Sequence, residues 1–220
     1  MFLNLFTYDE ATRAAIAKLR ERGATMVWLY APGWLKGNSL ADMKALTGME
    51  FAKMPGSTTM GVTLKADGRY MGMPEAKVAQ AFYPVKPDEV LGTYADGKPG
   101  LAMSKVGNSL TVFSGTWQMD VPFIRQLVAR AGAHVWCDSD DPIEANDALF
   151  TLHARFPGIK TVHLPRKATV VDVFAKRIVA RDTDTFTFSA TLHSTYLFYF
   201  GPDAESLLKK LDPKSFCCSH

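Results

Sequence analysis

The sequence predicts an α/β fold, with a mostly parallel sheet between helices and a small antiparallel β unit at the C-terminal end. An apolar segment, a segment of helical periodicity and a second apolar run open the chain, which is the β-α-β order of a parallel sheet. Residues 26–31 are apolar at consecutive positions, as in strands covered on both faces. After residue 142 the pattern changes to short strand-like segments separated by turns, which predicts the antiparallel unit.

The first predicted elements are a strand at 2–6, a helix at 9–22 and a strand at 26–31. Apolar side chains recur at helical spacing between Ala11 and Leu19. Thr7 or Asp9 can cap the helix, and Gly23 suits the left-handed position after its end.

A short helix and an irregular region are predicted next. Asn38 or Ser39 can cap a helix that begins at Leu40 and ends at Gly48. Residues 51–99 carry many Gly, Pro and Met residues and only short apolar runs. We therefore expect an irregular surface region with short strands there.

The segment 101–137 has clearer signals. Two apolar runs, 101–106 and 109–114, flank Gly107-Asn108, which predicts a hairpin with a two-residue turn. A helix is expected between the cap Asp120 and the stop signal Gly132, followed by a strand at 134–137.

The C-terminal part reads as a small antiparallel sheet. The strands are predicted at 149–153, 161–164, 169–174, 177–180, 185–191 and 195–200. Residues 203–211 are expected to form a helix within a tail that runs from 203 to 220.

Composition excludes several classes of protein. The chain has 220 residues, of which 47% are hydrophobic, enough for one domain and an appendage with an ordinary core. A net charge of +3 from 25 basic and 22 acidic residues is too balanced for a nucleic-acid partner. No apolar stretch is long enough to cross a membrane, and no secretion signal is visible, so we expect a cytoplasmic protein. The 3 cysteines predict neither a disulfide framework nor a zinc site.

The sequence offers no convincing catalytic, metal or cofactor site. An acyl-transfer enzyme of this fold needs a nucleophile at a strand-to-helix elbow, and the turn after residues 26–31 holds no Cys or Ser. A Cys-dependent hydrolase or amidase using Cys137 with His134 or His153 is an alternative. The acids of 138–141 lack the spacing of a calcium loop.

Two tryptophans give a second alternative, a carbohydrate-binding module. Trp28 and Trp136 lie in apolar strands and are expected in the core. Trp34 and Trp117 lie in predicted loops, where their rings, with those of nearby tyrosines, can stack on sugars.

Several segments, in this order, resemble a known family. They are VWLYAPG (27–33), LTGM (46–49), VFSGTW (112–117), ARAGAHVWCDSDD (129–141), ANDALFTLHARFPGIKTVHLP (145–165) and VVDVFAKRIVARDTDTFTF (170–188). The chain resembles the β-galactosidase trimerisation domain of glycoside hydrolase family 42 and the small β domain that follows it, up to about residue 200.

The resemblance implies a flavodoxin-like three-layer sandwich similar to class I glutamine amidotransferases, without the amidotransferase machinery. It implies a trimerisation domain at 1–145 that lacks its first strand and helix, a β domain at 146–202 and a tail at 203–220. In that family the catalytic residues lie in a separate TIM barrel, so none is assigned here. The implied role is non-catalytic, in a homotrimer that helps to wall the active-site cleft of a bacterial enzyme.

Overall fold

A computed structural model describes residues 1–211 as a mostly β protein, with 42% of the residues in strands and 20% in helices. The helices are α1 (Glu10–Glu21), α2 (Trp34–Gly37), α3 (Leu40–Thr47), α4 (Val121–Arg130) and α5 (Ala204–Leu211). The first eight strands are β1 (Met26–Leu29), β2 (Phe51–Lys53), β3 (Thr58–Leu64), β4 (Tyr70–Val78), β5 (Phe82–Pro84), β6 (Glu89–Thr93), β7 (Pro99–Val106) and β8 (Ser109–Ser114). The others are β9 (Ile143–Ala145), β10 (Leu149–His153), β11 (Gly158–Asp172), β12 (Arg177–Ala190) and β13 (Thr195–Tyr199).

The chain divides into two compact units. The first unit is Met1–Ile124 and the second begins at Arg125, so the division falls within α4. No helix in the described part of the chain is long and apolar enough to span a membrane.

The main sheet of the first unit is mixed and largely antiparallel, so the predicted flavodoxin-like sandwich with a mostly parallel sheet is wrong. Its order is β1-β8-β7-β6-β3-β4. Of its strand pairs in the described part, β1 with β8 is parallel and the others are antiparallel. The apolar run at β1 did mark a fully buried strand. However, a buried strand does not reveal whether its distant neighbours are parallel or antiparallel.

The prediction for residues 51–99 was right that the region forms short strands and wrong that it is an irregular surface region. This region supplies β2 to β6 and packs into the core through side chains such as Met60, Val62 and Met71. Two of its glycines allow close strand pairing, because Gly61 and Gly72 face each other across β3 and β4. A Cβ on Gly72 would lie 2.3 Å from the Gly61 Cα, so the strands approach this closely because side chains are absent.

The β-α-β start is confirmed in outline. The first strand is reduced to a single parallel bridge between Phe2 and Trp28, whose rings stack with centroids 4.3 Å apart. Helix α1 begins as predicted, because the Asp9 carboxylate accepts the Thr12 N–H at 2.7 Å. Gly23 is left-handed, with a φ of 74°.

Helix α3 and the β7–β8 hairpin are confirmed. The Ser39 hydroxyl caps α3, and Gly48 ends it with a φ of 80°. A Cβ on Gly48 would lie 2.4 Å from Val106 Cγ1, so both its conformation and its surroundings require glycine. The hairpin turns at Gly107-Asn108 as predicted.

The second unit contains a sheet of order β12-β11-β13-β10-β9, and the predicted antiparallel unit is confirmed. The predicted strands at 161–164 and 169–174 are one strand, β11, and those at 177–180 and 185–191 are one strand, β12. The gap between the predicted strands contains Pro165, and the register shift between His163 and Ala168 accommodates it within β11.

The predictions for α4, for residues 134–137 and for the C-terminal tail have different outcomes. Helix α4 is confirmed, with Asp120 accepting the Phe123 N–H at 2.8 Å and Gly132 at a φ of 69°. The strand predicted at 134–137 is only a bridge between Cys137 and Val162. Within the predicted tail 203–220, the helix is present as α5, and residues 212–220 lie outside the described part.

Candidate functional site

The candidate site lies in the first unit, at the carboxyl ends of β1 and β8. Because these two strands are parallel, the segments that follow them leave the sheet at the same edge. One segment runs from Tyr30 through Gly33 to Trp34, and the other includes Thr116 and Trp117.

Tyr30 occupies the elbow where an acyl-transfer enzyme would hold its nucleophile. Its φ is 62°, a left-handed conformation that is uncommon for a side chain of this size. Its hydroxyl donates a hydrogen bond to the Gln80 carbonyl at 2.5 Å, and burial raises its pKa. The elbow therefore presents a neutral, hydrogen-bonded phenol.

Both predicted stacking residues lie at one aromatic cluster. Tyr30 contacts Trp117, with ring centroids 5.1 Å apart and planes at 63°. Trp34 contacts Phe82 at 4.7 Å, and Phe82 in turn lies 6.5 Å from Tyr30. Trp34 is half-buried against a core that includes Met43, whereas Trp117 is 47% exposed. Trp117 is thus the ring available to a ligand.

A pocket of about 250 Å³ adjoins Trp117 along the chain. It is lined by Tyr70, Met71 and Gly72 from the start of β4 and by Gln118, Met119 and Asp120. Arg69 forms ion pairs with Asp120 and with Asp67, and the Asp67 pair is 2.6 Å long. Hydrogen bonds from the Arg69 side chain and N–H keep the pKa of Asp67 below its usual value.

The sequence predicts tyrosines near the two tryptophans but does not identify Tyr30 or Tyr70, and it gives no indication of Phe82 or Gln118. Tyr30 belongs to an apolar run that predicts a strand, and nothing local indicates that its backbone turns over. Phe82 and Tyr70 lie in the region that was expected to be irregular, so no sequence signal placed them beside the Trp117 segment.

The predicted cysteine–histidine pair is not formed in the described part of the chain. Cys137 is buried, and its sulfur lies 3.1 Å from the Ser139 hydroxyl. His134 hydrogen-bonds the His163 carbonyl at 2.7 Å, and His153 hydrogen-bonds the Thr195 hydroxyl at 2.9 Å. Both imidazoles are therefore engaged elsewhere.

The aspartates at positions 138, 140 and 141 form ion pairs. Asp138 contacts His163 at 3.0 Å, and Asp140 contacts Arg125 at 2.6 Å. Asp141 is buried against Lys160, with its carboxylate 2.6 Å from the ammonium. Within residues 1–211, no group of three or more His, Cys, Asp or Glu side chains is placed to hold a metal ion.

Hydrogen bonds fix the charge of Asp141. Burial raises its pKa, but hydrogen bonds from Lys160, the Ser139 hydroxyl and the Arg155 N–H lower it by more. The pKa of Asp141 is therefore below its usual value. This network holds the segment 137–141 against β11.

Three solved structures that share this fold are β-galactosidases. The enzyme from Bacillus circulans sp. alkalophilus has a TM-score of 0.60 and 14% identity over 90% of this chain and 32% of its own. The enzyme from Rahnella sp. R3 has a TM-score of 0.53 and 13% identity over 89% of this chain and 31% of its own. That of the Antarctic haloarchaeon Halorubrum lacusprofundi has a TM-score of 0.52 and 15% identity over 92% and 31%.

The chain thus spans about a third of the length of these galactosidases. No protein-family model matches the sequence, and no curated protein is similar to it. At these identities the likeness establishes a shared fold.

Proposed function

We propose that this chain is a non-catalytic domain of a glycoside hydrolase of the β-galactosidase kind. It associates into a trimer and supports the active-site cleft that a separate catalytic barrel of the parent protein supplies. The observation that carries the proposal is the shared fold over 90% of this chain and only 32% of a β-galactosidase. A part of that size fits an accessory region beside a larger catalytic one. In this proposal residues 1–145 form the assembly domain, 146–202 a β domain and 203–220 a tail.

The chemistry of the elbow at Tyr30 and of Cys137 supports a non-catalytic role. The elbow holds Tyr30, whose pKa is raised by burial, and a neutral phenol that already donates a hydrogen bond to the Gln80 carbonyl is a poor nucleophile. Cys137 is buried and hydrogen-bonded to Ser139. A thiol in such surroundings is normally inert.

Exposed apolar side chains at the β1 edge of the main sheet support an assembly role. Leu35 is 61% exposed and Leu3 is 55% exposed. The two belong to neighbouring segments, because the Leu35 N–H donates to the Phe6 carbonyl at 2.7 Å. Large apolar side chains exposed on neighbouring segments are the kind of feature that a protein–protein contact covers.

Turnover of a chromogenic β-galactoside by the purified chain tests the non-catalytic part. We expect no hydrolysis above that of buffer. Hydrolysis that survives purification and is abolished by Cys137→Ser would replace the proposal with a cysteine-dependent hydrolase. Hydrolysis that Cys137→Ser leaves intact would also contradict the proposal.

A pair of surface variants tests the assembly part. Leu35→Glu places a charge in the proposed contact and is expected to weaken self-association at least tenfold in sedimentation equilibrium. Ile159→Glu changes a residue of the second unit that is 70% exposed, and is expected to leave association unchanged. Equal association constants for the two variants would exclude the β1 edge as the contact.

A further inference from the structure

We infer that the pocket beside Trp117 binds one neutral pyranoside, which stacks on Tyr70 and Trp117 and hydrogen-bonds to Gln118 and Asp120. The choice of a galactoside as ligand rests on the proposed function. The site itself rests on the side chains that surround the pocket.

Tyr70 provides a flat aromatic surface on one side. Its ring lies against Gly61 of the neighbouring strand, where an added Cβ would come 2.1 Å from the Tyr70 hydroxyl oxygen. The glycine therefore lets the ring lie on the sheet, and 46% of the residue remains exposed. An aromatic ring fixed in this way loses little conformational entropy when a ligand stacks on it.

In this proposal Trp117, which is 47% exposed, is a second ring at the rim of the pocket. It directly precedes Gln118, so its Cα lies about 3.8 Å from that of a residue lining the pocket. The Tyr30 ring contacts it edge to face, with centroids 5.1 Å apart and planes at 63°. Because Tyr30 is held by its hydrogen bond to the Gln80 carbonyl, this contact is fixed before any ligand arrives.

The polar groups of the pocket suit hydroxyl groups. The Gln118 amide is exposed, and an amide offers both donors and acceptors. Asp120 uses one carboxylate oxygen for the Phe123 N–H and the other for Arg69, which leaves further lone pairs on both. Planar side chains of this kind bind the paired hydroxyls of a sugar ring.

The size and charge of the pocket narrow the ligand. Its volume of about 250 Å³ lies below the roughly 300–1,000 Å³ of sites for drug-sized molecules, so it fits a single ring. Among the six residues that line it, Asp120 carries the charge, and a carboxylate at this position disfavours anionic sugars. A neutral pyranoside with a continuous face of C–H groups meets both conditions, and β-galactosides present such a face at C3, C4 and C5.

Saturation-transfer difference NMR of the full chain with methyl β-D-galactopyranoside tests the inference. We expect binding in the millimolar range, with the strongest saturation on H3, H4 and H5 of the sugar. Sorbitol has hydroxyls but no ring face, and it should give no signal. The inference would be overturned if the galactoside gave no signal at a concentration 20 times a millimolar Kd. It would also be overturned if sorbitol gave a signal as strong as that of the galactoside.

Four variants separate stacking from folding. Trp117→Ala and Tyr70→Ala should each weaken binding about three- to tenfold, whereas Tyr70→Phe keeps the ring and should retain most of it. Phe174→Ala removes an aromatic residue of the second unit that is 62% exposed, and it should have no effect. Unchanged binding in both Trp117→Ala and Tyr70→Ala would refute the site.

Failure of this site leaves the proposed function standing, because turnover and self-association measure that function independently. Conversely, the chain could bind the galactoside, remain monomeric and hydrolyse the chromogenic substrate. That result would support the site and contradict the proposed function.

Discussion

The buried ion pair of Asp141 and Lys160 gives the sharpest stability prediction. Their side chains are 0% and 5% exposed, and the carboxylate lies 2.6 Å from the ammonium. The same carboxylate accepts the Ser139 hydroxyl at 2.6 Å and the Arg155 N–H at 2.7 Å. Asp141→Leu removes all three hydrogen bonds and leaves a positive charge buried without a partner.

The expected cost is large for the single variant and small for the double. Removing one member of a buried ion pair costs about 3–5 kcal/mol. In Asp141→Leu with Lys160→Met no charge is left behind, and the remaining cost is about 1–3 kcal/mol for the unsatisfied Arg155 N–H. The double variant should therefore be more stable than Asp141→Leu alone.

Urea unfolding read by pulsed hydrogen exchange measures this effect, because peptides report separately on the two units. The loss should appear in peptides of β10 to β13. A loss below about 1 kcal/mol in Asp141→Leu, or a double variant that costs the sum of the two singles, would refute the reasoning.

The same pair predicts acid sensitivity. The pKa of Asp141 is held below its ordinary 3.8, so the unfolded chain takes up the proton first as pH falls. The stability that this carboxylate provides is complete above about pH 4 and is lost below it. Asp141→Leu should lack this acid-dependent component.

The remaining predictions concern the stability of the first unit, and urea unfolding measures each of them. Gly48→Ala places a methyl group against Val106 at a φ of 80° and should cost about 2–4 kcal/mol of stability. Gly97 has a φ of 83° but lies in open space, so Gly97→Ala should cost about 1–2 kcal/mol. Equal losses in the two variants would contradict the contact with Val106. Asp9→Ala removes the cap of α1 and should cost about 1 kcal/mol, and no loss would show that the cap contributes nothing. Burial raises the pKa of Tyr94 far above 10, so stability should fall as pH rises through 10, and Tyr94→Phe should flatten that fall; an unchanged slope would contradict the assignment.

Local signals explain which helices could be predicted. The cap Asp9, the cap Ser39 and the stop Gly48 act within a few residues of the chain, and each helix begins or ends where they indicate. The β7–β8 hairpin is equally local, because Gly107-Asn108 sets its turn.

Sheet direction and the candidate site depend on distant partners. The run at β1 is buried as predicted, but its neighbour β8 lies more than 80 residues away and leads into antiparallel strands. Tyr30 reaches Gln80 and Phe82, about fifty residues on, and Tyr70 needs the bare surface of Gly61. No short window of the sequence contains those pairings.

The native mass of the purified chain, measured by size-exclusion chromatography with light scattering, tests the proposed assembly role most directly. A trimer has a mass that rises with concentration to three times the 24.2 kDa of one chain, and this is the expected result. A mass that stays at 24.2 kDa up to the highest concentration would contradict it.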